Sequence, residues 1–148
     1  MTTFHGTCVL TAGVGVLLRG QSGSGKSDLA LRLIEQGAIL VADDRVVLTA
    51  ADGCLFAQGP ERLAGLIEVR GVGIMKVPAT QQAVVALIVD MVQPGAIERM
   101  PEAEWEDLCG VRVARLRLTP FETSATAKLN IAAAAARDGV LGKAPELQ

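Results

Sequence analysis

Apolar and polar residues follow one another along this chain in short runs that predict several strands and two helices. Residues 14–19 are apolar and β-favouring, and residues 28–36 repeat apolar side chains one helical turn apart before Gly37. Such spacing predicts a helix, and a glycine just past the last turn is a common terminator. Other strands are predicted at residues 7–10, 38–42, 46–49, 54–57, 66–69, 83–89 and 112–118, with a helical turn at 60–64 and a second helix at about 123–137.

The order of these elements predicts an α/β fold with a mixed sheet. Asp52-Gly53 separates two β-like runs, and this dipeptide is a strong hairpin signal. Residues 83–89 are the most continuously apolar stretch, as in a strand buried on both faces at the centre of a sheet. Pro94-Gly95 then turns the chain into a polar segment that contains Trp105, and the tail beyond the second helix is expected to fray.

The loop before the first helix contains the pattern Gly-x-x-x-x-Gly-Lys-Ser. Its glycines allow successive backbone N–H groups to face one phosphate chain, and the helix N-terminus adds unpaired donors. The charge of Lys26 suits the β- and γ-phosphates, and the hydroxyl of Ser27 suits Mg²⁺. Strand, loop and helix in this order predict a nucleotide-binding P-loop. Its residues are Gly20, Gln21, Ser22, Gly23, Ser24, Gly25, Lys26 and Ser27.

Two adjacent acids, Asp43 and Asp44, follow the strand predicted at 38–42. A phosphoryl transferase needs one carboxylate to accept the proton of the incoming hydroxyl and often another to hold Mg²⁺. If the strand continues through the pair, its side chains point to opposite faces and take different roles. The alternative is a solvated Asp-Asp turn.

Glu68 and His5 are the remaining candidates for chemistry. Glu68 lies within an apolar run, and a carboxylate there needs a metal, a cation or solvent. Arg70 lies two residues further on, so a surface ion pair between the two is the alternative. His5 is the only histidine, and on its own it fits a structural role as well as a catalytic one.

Composition restricts the classes of function. The 148 residues are 50% hydrophobic, which suits one domain spanning residues 1–148, and the net charge of −2 lacks the basic bias of a nucleic-acid binder. We find neither a signal peptide nor a membrane span in the sequence. The three cysteines (Cys8, Cys54 and Cys109) are scattered, which favours reduced thiols in a cytoplasmic protein.

Four motifs in order resemble the kinase half of bacterial HPr kinase/phosphorylase. They are His5-Gly6-Thr7, residues 13–20 leading into the P-loop, residues 40–44 ending in Asp43-Asp44, and residues 68–74. The resemblance implies a serine kinase that uses ATP and Mg²⁺ to phosphorylate the phosphocarrier protein HPr. It also implies removal of that phosphate by inorganic phosphate, a nucleotide-binding core like that of phosphoenolpyruvate carboxykinase, and a hexameric assembly.

The resemblance also implies roles for individual residues. The P-loop would bind the nucleotide phosphates, and the pair at 43–44 would contain the base that activates the target serine, with Asp44 favoured. His5 would lie near the transferred phosphate. The residues implied to be catalytic are His5, Lys26, Asp43 and Asp44, and those implied to hold Mg²⁺ are Ser27 and Glu68.

Two features depart from the family pattern. Full-length members carry an additional N-terminal domain, so this chain resembles short forms with the kinase domain alone. A catalytic arginine in a Gly-Arg-Asn motif before the late helix is replaced by Thr123-Ser124-Ala125, and Lys128 is a candidate substitute. Kinase activity is therefore the firmer expectation than phosphorylase activity. A small-molecule kinase and a non-catalytic ATP sensor are the alternative functions.

Overall fold

The structure, a computed structural model, describes residues 2–143. The tail predicted to fray falls mostly on residues 144–148, which lie outside the described residues. In chain order the elements are β1 (Thr2–His5), β2 (Thr7–Thr11), β3 (Val14–Arg19), α1 (Lys26–Glu35), β4 (Ile39–Ala42), β5 (Arg45–Ala51), β6 (Cys54–Gln58), a 3₁₀ turn (Glu61–Leu63), β7 (Leu66–Val69), β8 (Gly73–Lys76), β9 (Gln82–Met91), β10 (Glu104–Leu108), β11 (Val111–Leu118) and α2 (Ala125–Arg137).

The main sheet is mixed, as predicted. Its strands follow the order β1-β5-β6-β9-β3-β2-β4, and β11 pairs with both β9 and β10. The strand β9 is central: it runs parallel to β3 and β11 and antiparallel to β6. The hairpin around Asp52-Gly53 is also confirmed, because both residues have positive φ (52° and 77°) between β5 and β6.

The sheet is covered on both faces by different means. The helices α1 and α2 bury Leu29 and Leu129 against one face. The other face is closed by the sheet itself, since Leu48 of β5 and Leu55 of β6 are buried in one cluster with Leu17 of β3. Each fully buried leucine contributes roughly 1.5–3 kcal/mol. Successive residues of β3 therefore enter two separate cores, which explains its uninterrupted apolar run.

Three strands were not predicted, and each lacks a clear apolar pattern. The strand β1 is mostly exposed and pairs with β5 at the edge of the sheet. The polar segment around Trp105 forms β10, whose acidic side chains face arginines of β11. The exposed strand β8 pairs only with β7, so these two strands form a separate hairpin.

The topology brings three chain segments together at one end of the sheet. The strand β3 ends at Arg19 and leads into the glycine-rich loop and α1, and β4 ends directly before Asp43. The strand β1 ends at His5, and the Gly6 N–H donates to the carbonyl of Asp44 at 3.1 Å. Among residues 2–143, no helix is both long and apolar enough to cross a membrane.

Candidate active site

A cavity of about 420 Å³ opens where the glycine-rich loop, the end of β4 and the β7–β8 hairpin meet. It contains all six side chains that were proposed for catalysis or metal binding. The loop contributes part of the wall through its backbone and side chains. The lining residues are His5, Thr7, Ser22, Gly23, Gly25, Lys26, Ser27, Asp28, Leu31, Asp43, Asp44, Glu68, Val69, Arg70 and Phe121.

The glycine-rich loop turns sharply into α1 at Gly25. This residue has φ 104° and accepts the first helical hydrogen bond from the Leu29 N–H at 2.9 Å. A Cβ here would lie 2.9 Å from the ring of Phe121 and 3.1 Å from Pro120, so both conformation and space require glycine. Glycine supplies no side-chain cap, and the first turn of the helix lines the cavity.

Lys26 is buried although it carries a full charge. Its Nζ donates to the carbonyl oxygens of Gly20 at 2.5 Å and Gln21 at 3.0 Å. These neutral acceptors leave the charge uncompensated by any carboxylate, because Lys26 forms no ion pair within residues 2–143. A buried, uncompensated ammonium at a helix N-terminus is a strong site for an anion.

Asp43 is held by neutral donors from three different elements. Its Oδ1 accepts from the hydroxyls of Ser27 and Thr7, each at 3.0 Å, and its Oδ2 accepts from the Glu68 N–H at 3.3 Å. These bonds place a carboxylate beside the Ser27 hydroxyl and bring β7 against the first turn of α1. No guanidinium or ammonium group within residues 2–143 forms an ion pair with Asp43.

Asp44 has a different environment from its neighbour. It adopts a left-handed conformation (φ 68°), which short polar residues tolerate, and its side chain is 78% exposed. His5 Nε2 lies 3.6 Å from its Oδ1. The chain turns here instead of continuing as a strand, because the Arg45 N–H bonds back to the Asp43 carbonyl at 2.8 Å. The two acids therefore differ in environment through a turn rather than through strand alternation.

Several features predicted from sequence do not meet in the cavity. Gly20, Gln21 and Ser24 lie outside its lining, although the first two hold Lys26. Glu68 and Arg70 both line the cavity but form no ion pair within the described part of the chain. The proposed substitute for the family's arginine is not supported, because Lys128 binds Glu122 at 2.7 Å and does not line the cavity.

Other lining residues were missed by sequence reasoning. Thr7 was noted only as part of a motif, and its hydroxyl contact with Asp43 depends on the pairing of distant strands. Phe121 is held at the mouth because Arg32, paired with Asp28 at 3.0 Å, also donates to the carbonyl of Pro120. No sequence pattern marks either contact.

A network of ion pairs anchors the strand that leads into the loop. Arg19 binds Asp90 at 2.6 Å and Glu106 at 2.7 Å, and Arg115 binds the other oxygen of Asp90 at 2.5 Å. Burial alone would raise the pKa of Asp90, but the hydrogen bonds from the two guanidinium groups outweigh it and hold that pKa below its ordinary value. The pKa of Glu106 is lowered chiefly by its hydrogen bonds with Arg19.

The cavity is lined by both basic and acidic side chains, so it suits an anion that is bound together with a cation. Lys26 and Arg70 share the lining with the carboxylates of Asp43, Asp44 and Glu68, none of which is paired with a lysine or arginine in the described part of the chain. No group of three or more His, Cys, Asp or Glu side chains within residues 2–143 is arranged to hold a metal. Mg²⁺ binds through few protein ligands and keeps sites for phosphate and water, so this sparse donor set fits it when a nucleotide is present.

Comparisons with known proteins identify the family of this chain. The family model of the HPr Serine kinase C-terminal domain matches residues 1–140. HPr kinase/phosphorylase of Clostridium perfringens (strain SM101) is 36% identical over 146 residues, 91% of this chain and 47% of the relative. The protein of the same description from Streptococcus thermophilus is 38% identical over 146 residues, 90% of this chain and 47% of the relative. The chain thus spans about half the length of these curated relatives.

A solved structure is similar over nearly the whole chain. It is described as the Hpr(Ser) kinase/phosphatase from Coxiella burnetii, and it matches with a TM-score of 0.79 at 26% identity. The match covers 95% of this chain and 92% of that one, so the mixed α/β architecture is shared from end to end. By its sequence and by the arrangement of its sheet, this chain belongs to the family of HPr serine kinase C-terminal domains.

Proposed function

We propose that this protein is a serine kinase that transfers the γ-phosphoryl group of ATP to the phosphocarrier protein HPr, with Mg²⁺. One observation carries the proposal: a buried ammonium, a hydroxyl–carboxylate pair and a solvent-open acid lie in one cavity at a helix N-terminus. This set matches the needs of phosphoryl transfer, which are phosphate binding, a metal and a proton acceptor. The names of the relatives support the choice of HPr as acceptor.

Residues 20–27 bind the nucleotide phosphates in this proposal. The backbone N–H groups at the start of α1 face the phosphates, and Lys26 exchanges its carbonyl acceptors for phosphate oxygens. Ser27 and Glu68 are the residues that would hold Mg²⁺, with Asp43 orienting the Ser27 hydroxyl from behind. When bound there, Mg²⁺ would supply positive charge for the transferred phosphoryl group.

We assign proton transfer to Asp44 rather than to Asp43. Asp43 already accepts three hydrogen bonds, so its oxygens are less available for a further proton. Asp44 lines the cavity, and His5 is its one ion-pair neighbour within residues 2–143, so an incoming serine hydroxyl can reach a free oxygen. His5 orients this carboxylate and lies near the transferred phosphate. In the reverse reaction the same carboxyl group would return the proton.

The proposal is tested by following labelled phosphate from ATP to purified HPr. We expect transfer that requires Mg²⁺, and a rate on the order of 10²–10³ lower for Lys26→Ala, by analogy with the loss of one preorganised electrostatic donor. Nucleotide binding without any transfer by the wild-type protein would reject the proposal. A screen of small hydroxyl compounds in place of HPr distinguishes a small-molecule kinase.

A nucleotide sensor without kinase activity is the second candidate. It is favoured by the absence of arginine at residues 123–125 and by the pairing of Lys128 with Glu122. Single-turnover experiments separate the two functions, because a sensor leaves ATP intact even at high protein concentration. Phosphorylase activity is tested in the same preparation, by adding inorganic phosphate to phosphorylated HPr.

The remaining proposals rest on the family resemblance. We infer that residues 1–148 work as one kinase domain in the cytoplasm, as a homo-oligomer, with a nucleotide-binding core like that of phosphoenolpyruvate carboxykinase. Neither nucleic acid nor a membrane is a partner in this proposal. Sedimentation of the purified protein measures the assembly directly.

A further inference from the structure

Phe121 is an exposed aromatic residue at the mouth of the cavity, and the proposed phosphoryl transfer assigns it no role. Its side chain is 68% exposed, although the preceding residue, Pro120, is buried. Its Cζ, the tip of the ring, lies 2.9 Å from the point that a Cβ on Gly25 would occupy. The ring therefore meets the glycine-rich loop through its tip, and most of its surface stays open at the cavity mouth.

The residues on both sides of Phe121 are bonded to the two helices. On one side, Arg32 of α1 donates to the carbonyl of Pro120. On the other side, the carboxylate of Glu122 binds Lys128 of α2 at 2.7 Å. These contacts order the segment before any ligand arrives, so a ligand that settles on the ring loses little binding energy to ordering it.

Phe121 and Leu31 give the cavity apolar surface beside its polar groups. Leu31 lies one helical turn after Ser27 and is half-buried. Phe121 is the only phenylalanine, tyrosine or tryptophan among the described residues of the lining. The cavity volume of about 420 Å³ lies in the usual range of small-molecule sites, where apolar and aromatic walls hold the ligand and a few polar groups orient it.

The acids of the site lie in a different set of contacts from the aromatic ring. Asp43 accepts from the Ser27 hydroxyl and the Glu68 N–H. No hydrogen bond within residues 2–143 joins these groups to Phe121 or to its two neighbours. In the proposed reaction the γ-phosphate lies beside the acids. Because the base is at the opposite end of a nucleotide, it needs a separate surface beyond the loop, and the ring against Gly25 provides one.

We propose that Phe121 is the platform on which the base of the nucleotide stacks, and that it favours a nucleotide over a bare polyphosphate. Every base has a π-face, so an aromatic side chain recognises a base by stacking and without hydrogen bonds. Phe121 lies two positions before residues 123–125, where the chain departs from the family pattern. This proposal rests on the proposed kinase function, because it requires the phosphates to bind at residues 20–27.

The test compares ATP with inorganic tripolyphosphate, which has a chain of three phosphates but no base. Calorimetric titration of each ligand with Mg²⁺ measures its affinity for the wild-type protein and for the variants. We expect Phe121→Ala to weaken ATP binding about 5–150-fold, the value of one base–aromatic stack, and to leave tripolyphosphate binding unchanged. Phe121→Tyr keeps an aromatic face and should bind ATP as the wild type does.

Trp105→Ala is the matched control. Trp105 is also an exposed aromatic residue (47%), but it lies on β10 and outside the cavity lining. Its substitution should change neither the affinity for ATP nor that for tripolyphosphate. Melting followed by circular dichroism shows that the exposed substitutions leave the fold intact.

The outcomes separate base stacking from the kinase function. Phosphate transfer to HPr by Phe121→Ala, with the affinity for ATP of the wild type, overturns the stacking proposal alone. An equal loss of ATP and tripolyphosphate affinity also overturns it, because the ring would then act on the loop through Gly25. A raised KM for HPr with unchanged ATP affinity would place the acceptor on the ring instead of the base. Binding of neither ATP nor tripolyphosphate by the wild type overturns both proposals.

Discussion

Two carboxylates at strand ends, Asp43 and Asp90, have opposite surroundings. Asp43 follows the buried strand β4, and Asp90 lies near the end of the buried strand β9. Asp90 is held by the guanidinium groups of Arg19 and Arg115, whereas Asp43 is held by two hydroxyls and one N–H. Asp90 is thus paired with cations, while Asp43 is oriented by neutral donors alone within residues 2–143.

The difference shows which acid is available for chemistry. A carboxylate that is hydrogen-bonded to two guanidinium groups links neighbouring strands, and neither of its oxygens remains available to a further cation. A carboxylate held by hydroxyl groups remains attractive to Mg²⁺ and to the hydroxyl groups of substrates. The network at Asp90 stabilises the strand that leads into the loop, whereas Asp43 and Asp44 are the acids to which the proposed function assigns the chemistry.

The largest expected effect is at the acid with the fewest partners. Asp44→Asn removes the proposed proton acceptor and should lower the rate of phosphoryl transfer about 10²–10⁴-fold, with unchanged ATP affinity. Asp52→Asn is a matched control, because Asp52 also has positive φ (52°) in an exposed turn. Steady-state kinetics with HPr give the rates. A wild-type rate for Asp44→Asn would show that a group other than Asp44 accepts the proton.

A smaller effect is expected at Asp43. Asp43→Asn keeps the shape but weakens the orientation of the Ser27 hydroxyl, so Mg²⁺ affinity and activity should fall about 10–100-fold. Titration of the rate with Mg²⁺ checks this, since high Mg²⁺ should restore part of the activity. An unaltered Mg²⁺ dependence would contradict a role for Asp43 beside the metal.

Asp90→Asn should lower the stability of the protein and leave the rate of phosphoryl transfer unchanged. It leaves Arg19 and Arg115 without their shared partner, and the free energy of unfolding should fall by roughly 2–3 kcal/mol, below the range for fully buried pairs. Urea denaturation measures the loss, and Asp138→Asn, at an exposed pair, should show none. The Mg²⁺ dependence of the folded variant should equal that of wild type.

The smallest expected effect is a pH dependence of stability. The pKa of Asp90 is lower in the folded protein than in the unfolded chain, where it is about 3.9. Its contribution is therefore complete above about pH 4 and is lost as the pH falls towards the folded value. Unfolding curves of wild type and Asp90→Asn should converge in acid. Curves that stay parallel from pH 6 to pH 3 would contradict this origin of the stability.

Local patterns were sufficient for much of the fold. The glycine pattern before α1, the Asp52-Gly53 turn and the apolar run of β9 each depend on a few neighbouring residues. Strands without apolar alternation were not predicted. An example is β10, which is held to β11 by ion pairs of exposed side chains and not by apolar burial. The hypothesis that Lys128 replaces the family's arginine is not supported for a similar reason. Its partner Glu122 lies outside the helix that carries Lys128.

The sequence by itself determined that a glycine-rich loop precedes a helix and that acids follow a strand, because backbone conformation and strand burial are local properties. Only the tertiary structure decided which charges are neutralised. The pairing of β2 with β4 brings Thr7 to Asp43, and the pairing of β3 with β9 brings Arg19 to Asp90. Electrostatic partners are set by distances in space, and residues far apart in the chain supply them.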